Sequence, residues 1–143
     1  VGESPEKSSA EKLCEDLGIS DKVIFFGNSN DINQILKYSD LFLLPSETES
    51  FGLAALEAMA FNVPVISSNS GGIPEVNEEG ISGFLSNVGD VESMSQNAIT
   101  ILKSDDTLNQ FKKSAFEVAK KFDIKNILPL YEDLYNKAIN LES

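Results

Sequence analysis

Leu41-Phe42-Leu43-Leu44-Pro45-Ser46-Glu47-Thr48-Glu49-Ser50-Phe51-Gly52-Leu53-Ala54-Ala55-Leu56-Glu57-Ala58-Met59-Ala60-Phe61 joins a strand-like apolar run to a helix-like one through a short polar turn. Strand, turn and helix N-terminus in that order form the geometry in which α/β folds bind phosphates. Glu57 is the only charge between Ser50 and Phe61. The composition around it predicts a largely buried helix, in which a carboxylate needs a partner.

Working outward, the pattern alternates strands and helices. Pro5 to Leu17 reads as a helix stopped by Gly18, and Lys22 to Phe26 as a short strand ending at Gly27. Asp31 is placed to cap a helix running to about Tyr38. Asp40 to Leu44 reads as a strand buried on both faces, because its apolar run is continuous. After the helix from Phe51 to Phe61 come strand Pro64 to Ser67, the loop Asn69-Ser70-Gly71-Gly72 and a short helix opened by Pro74. Gly83 to Ser86 is a last strand. Helices are predicted over Val91 to Lys103, Asp105 to Lys121 and Ile124 to Leu141. The order implies an α/β, Rossmann-like parallel sheet, with residues 1–143 as one domain.

Composition narrows the function. Eleven cations, all lysine, face 23 acids for a formal charge of −12, and there is no histidine. Nucleic-acid binding is disfavoured, since a phosphate backbone needs a basic footprint. Histidine catalysis is excluded within this chain. A nucleotide ligand remains open if backbone N–H groups and a few lysines hold its phosphates. One cysteine, Cys14, makes no internal disulfide and argues against a cysteine-based zinc site; an intracellular, cytoplasmic setting is expected. No run reaches the roughly 20 apolar residues of a membrane span. The chain opens Val1-Gly2-Glu3-Ser4 without methionine, which reads as a fragment.

The candidate site centres on the turn. Ser50 is expected to cap the helix, and Gly52 to let a ligand approach the backbone. N–H groups near Gly52, Leu53 and Ala54 would then face an anion, although an ordinary capped helix has the same residues. Glu57 admits a buried ion pair or hydrogen bonds from ligand hydroxyls. Glu49 would repel a phosphate beside it, so sugar hydroxyls suit it better; Glu47 is expected to be solvated. Gly71-Gly72 reads as a plain turn, Glu75 as a helix-dipole partner, and Lys120-Lys121 as a solvated helix end. Asn28 to Asn30 follow a predicted strand and are placed to line the same crevice.

Taken together, Asp40 to Gly89 resembles the nucleotide-sugar half of retaining GT-B glycosyltransferases of family four. The resemblance rests on Glu49 and Glu57 with seven residues between them and on Phe51-Gly52. Val63-Pro64-Val65-Ile66, Gly71-Gly72-Ile73-Pro74-Glu75 and Gly83-Phe84-Leu85 continue the family's order. It implies that Glu49 binds donor-sugar hydroxyls and Glu57 the ribose. Backbone N–H groups of Phe51, Gly52, Leu53 and Ala54 would meet sugar and diphosphate, and Gly27 and Asn28 would border the uracil.

Phe42 to Met59 and Gly72 to Asp90 are nearest to members that move N-acetylglucosamine from its UDP donor to L-malate in bacillithiol synthesis. A different sugar or acceptor, or a non-catalytic nucleotide-binding domain, is the alternative. No essential metal or cofactor is implied. Asn62 stands where the family has glycine, and Glu3-Ser4 where it commonly has aspartate and glycine. The family's diphosphate-gripping Arg and Lys, and its acceptor domain, would lie upstream of residue 1. A sheet missing its first strands is expected to be gapped, with exposed edges and a tendency to self-associate.

Overall fold

The computed structural model describes residues 5–141. The readings at Val1-Gly2 and Glu3-Ser4 lie outside the described residues. The chain divides after Ile35 into two compact units.

In the first unit, helix α1 spans Lys7–Asp16. Gly18 takes φ 68° beyond its end. There the N–H of Ile19 donates to the Cys14 carbonyl at 2.9 Å and that of Gly18 to Glu15 at 3.0 Å. These two bonds close the last turn in a Schellman arrangement, the left-handed stop that Gly18 predicts. The strand expected at Lys22 to Phe26 does not form: Ser20–Lys22 is a single 3-10 turn, and the next residues join no sheet. Val23 is extended (φ −117°, ψ 128°), but Ile24 is 75% and Phe26 56% exposed. A short apolar run becomes a strand only when a neighbour accepts its backbone hydrogen bonds. Asp31 does cap helix α2, Ile32–Lys37, which continues past Ile35; it accepts from the N–H of Gln34 at 3.4 Å.

The second unit is built on three parallel strands in the order β1-β2-β3. They are β1 (Phe42–Leu44), β2 (Val65–Ser68) and β3 (Gly83–Ser86), with Phe42 opposite Val65 and Ile66 opposite Phe84. Every residue of the central strand β2 is buried. Alternation sends Val65 and Ile66 to opposite faces. Val65 joins Ala55, Ala58 and Met59 of helix α3 (Leu53–Ala60) and Ala115 and Val118 of α6 (Asp105–Lys121). Ile66 joins Met94 and Ile101 of α5 (Val91–Leu102), where the rings of Phe84 and Phe111 lie 5.4 Å apart. The sheet is thus covered on both faces, as an α/β fold requires.

Strand β1 departs from the expectation of full burial, since Leu43 is 55% exposed. Among the described residues β1 pairs on one side only, and an edge strand shares less of the core. Helix α4, Ile73–Val76, is opened by Pro74 as predicted. Asp90 caps α5 and Ser104 caps α6, each accepting a backbone N–H three residues on. The last helix, α7, spans Ile124–Leu141.

Sequence reading gives no weight to Asn77, which is wholly buried. Its Nδ2 donates to Ser67 Oγ at 2.8 Å and lies 3.2 Å from the Val65 carbonyl and 3.3 Å from that of Phe84. Its Oδ1 accepts from Ser82 Oγ at 2.9 Å. One amide therefore ties β2 to β3 from the loop between them. That satisfies groups which would be costly to bury unpaired.

Candidate functional site

Parallel strands carry their ligand crevices at the carboxyl ends, and β1 and β2 open there into two turns, residues 45–52 and 69–72. The two turns are stitched together. The hydroxyl of Ser70 donates to the Glu47 carbonyl at 2.8 Å, and the N–H of Gly72 donates to that of Glu49 at 3.3 Å. A Cβ on Gly71 would lie 1.6 Å from the Glu49 carbonyl oxygen, and one on Gly72 2.6 Å from that of Ser50. The paired glycines, read from sequence as a plain turn, are demanded by this backbone-on-backbone contact.

The helix start also differs from expectation. Ser50 does not cap α3; Gly52 is the N-cap residue, at φ 90°, and no side chain of that residue closes the turn. The N–H of Gly52 instead donates to Glu49 Oε1 at 3.3 Å. This half-buried carboxylate therefore already holds one of the donors expected to meet a ligand. Leu53 and Ala54 occupy the first turn, where backbone N–H groups have no intrahelical acceptor. Phe51 packs its ring edge-on against Phe122, with centroids 6.3 Å apart. Thr48, Glu49, Ser50, Ser70 and Gly71 line an open depression of about 440 Å³ at this end of the sheet.

Glu57, expected in a largely buried helix with a partner, is exposed. The reason lies in helix geometry: Ala55, Ala58 and Met59 face the core, whereas Leu53, Glu57 and Ala60 share the open face. The run lacks charge because alanine serves both sides, so apolar content overstates burial. Glu57 lines a second depression, of about 500 Å³, between α3 and α6, with Leu56, Phe116, Lys120 and Phe122. Lys120 is exposed there, as expected of a helix end. Its ammonium pairs with Glu117 at 2.7 Å and sits 4.5 Å from the Phe116 ring centre.

Glu49, Phe51, Gly52, Leu53, Ala54 and Glu57 thus lie on one turn and the helix it opens. Gly27, at φ 63°, and the exposed Asn28 belong to the other unit. Glu47 is exposed, as expected, and Glu75 stands in the first turn of α4. Asn62 takes φ 61°, the left-handed conformation that lets it stand for glycine at a helix end. Among the described residues no cluster of acidic or cysteine side chains could hold a metal ion. None of the described helices is long and apolar enough to cross a membrane.

Comparison with known proteins gives the family. The family described as glycosyl transferases group 1 matches residues 1–118. N-acetyl-alpha-D-glucosaminyl L-malate synthase of Bacillus anthracis is 41% identical over 136 residues, covering 94% of this chain and 36% of that protein. Sulfoquinovosyl transferase SQD2 of Arabidopsis thaliana is 35% identical over 128 residues, covering 86% of this chain and 24% of that protein. Among solved structures, Anabaena Alr3699/HepE in complex with UDP superposes with a TM-score of 0.80 at 28% identity, covering 92% of this chain and 38% of that one. The chain therefore spans about a quarter to a third of the curated relatives it matches. With its parallel α/β sheet and residues 1–118 matched by the family model, this chain belongs to the group 1 glycosyl transferases.

Proposed function

We propose that this chain forms part of the donor site of a retaining glycosyltransferase that uses a UDP-sugar. Glu49 takes sugar hydroxyls, Glu57 takes the ribose hydroxyls, and the N–H groups of Phe51, Leu53 and Ala54 face sugar and diphosphate, while that of Gly52 holds the Glu49 carboxylate. The observation that carries the reading is the Glu49–Gly52 hydrogen bond of 3.3 Å, which fixes a carboxylate at the mouth of a strand-end depression. A carboxylate accepts only, so it suits the hydroxyl donors of a sugar and not the acceptor oxygens of a phosphate. The exposure of Glu57 favours a ligand over an internal ion pair.

The proposed reaction moves N-acetylglucosamine from UDP-N-acetylglucosamine to L-malate, in the cytoplasm, with no metal or cofactor assigned. Its support is the 41% identity to the Bacillus anthracis malate synthase. A different sugar or acceptor on the same site is the second reading, favoured by the 35% identity to a sulfoquinovosyl transferase.

Calorimetry on the natural full-length protein tests the division of labour. Glu57→Ala is expected to weaken UDP binding about tenfold, the worth of a charge-assisted hydrogen bond or two. Glu49→Ala should leave UDP affinity within about twofold while transfer falls by about a hundredfold or more. Unchanged UDP affinity in the Glu57 variant would remove that residue from the site.

A further inference from the structure

The loop after β2 contributes a side chain to the depression that holds Glu49. Ser70 is half-buried there beside Glu49 and Gly71. Its hydroxyl hydrogen is committed, because Ser70 Oγ donates to the Glu47 carbonyl at 2.8 Å. A hydroxyl has one hydrogen and two lone pairs, so the Ser70 oxygen facing the depression can only accept. The position is also rigid. The Gly72–Glu49 hydrogen bond of 3.3 Å pins the loop to the opposite turn, and the absent Cβ of Gly71 lets the two backbones touch.

We infer that Ser70 is a specificity residue of the donor site, accepting a hydrogen bond from an O–H or N–H of the transferred sugar opposite Glu49. The inference rests on the donor-site reading above and adds a second wall to it. Two acceptors, Glu49 and Ser70, then face one sugar across a single depression. Such a pair selects a ring that presents donors on both sides and leaves an acceptor covered by the sugar unpaired when one is missing. A tether alone would give a different result, since loosening the loop would disturb nucleotide and sugar together.

Binding of UDP, UDP-N-acetylglucosamine and UDP-glucose to the natural full-length protein separates these cases. For Ser70→Ala, affinity for UDP should stay within about twofold, while affinity for the preferred UDP-sugar falls about tenfold, as one lost hydrogen bond predicts. Ser70→Thr keeps the hydroxyl and should restore most of that loss. Equal losses for UDP and UDP-sugar, or no loss for either, would overturn the role of Ser70 and leave the donor site standing. A wild-type protein that binds none of the three ligands would overturn the donor-site reading and this inference with it.

Discussion

At the residue scale the site depends on groups whose value lies in what they leave out. Gly71 adopts φ 54°, and a Cβ there would meet the Glu49 carbonyl oxygen at 1.6 Å. Gly80, at φ 71°, has open space where its Cβ would be. The pair separates backbone conformation from collision. Gly80→Ala should cost about 1 kcal/mol, the left-handed penalty alone. Gly71→Ala must also push the two turns apart, so its cost should exceed that of Gly80→Ala by about 2 kcal/mol. Urea unfolding of both variants checks the difference, and equal costs would mean that the loop yields freely. The spacing of Glu49 and Glu57 was legible in the sequence, and so was their place around a strand-to-helix turn. The exposure of Glu57 was not, because alanine packs a core and covers a surface equally well.

At the element scale, capping and periodicity read most faithfully. Helices α5, α6 and α7 begin where expected, and α5 alone ends one residue early. Asp90 and Ser104 carry that information locally, through bonds to N–H groups three residues away. The strand at Val23 to Phe26 failed for the opposite reason: pairing is a property of the neighbour, and a strand-like run does not reveal whether one exists. Asn77 was invisible for a similar reason. Its partners at Val65, Ser67, Ser82 and Phe84 are brought to it only by the sheet. Asn77→Ala should destabilise the fold by about 3 kcal/mol, because buried acceptors on two strands lose their donor. Chemical denaturation measures this loss; a cost below about 1 kcal/mol would show that the network relaxes or hydrates.

At the scale of the whole molecule, two surfaces of the second unit oppose its charge. Strand β1 exposes Leu43 at 55% on a strand paired on one side among the described residues. Helix α7 exposes Ile124, Leu128, Tyr131, Tyr135 and Ile139, each at least 50%, at the spacing of one helical face. Apolar faces of this kind favour association, and an open strand edge supplies hydrogen bonds for it. A net charge of −12 on 143 residues pushes copies apart. The outcome therefore depends on screening. At low ionic strength the 143-residue chain should run as a monomer; at about 0.5 M salt, where the Debye length falls below 5 Å, it should self-associate. Light scattering on a sizing column reads the mass directly. Leu43→Lys places a charge on the β1 edge and should reduce the high-salt mass if that edge mediates contact. A clean monomer at every salt concentration, melting cooperatively, would instead mean that neither face is sticky enough to overcome the cost of ordering two copies.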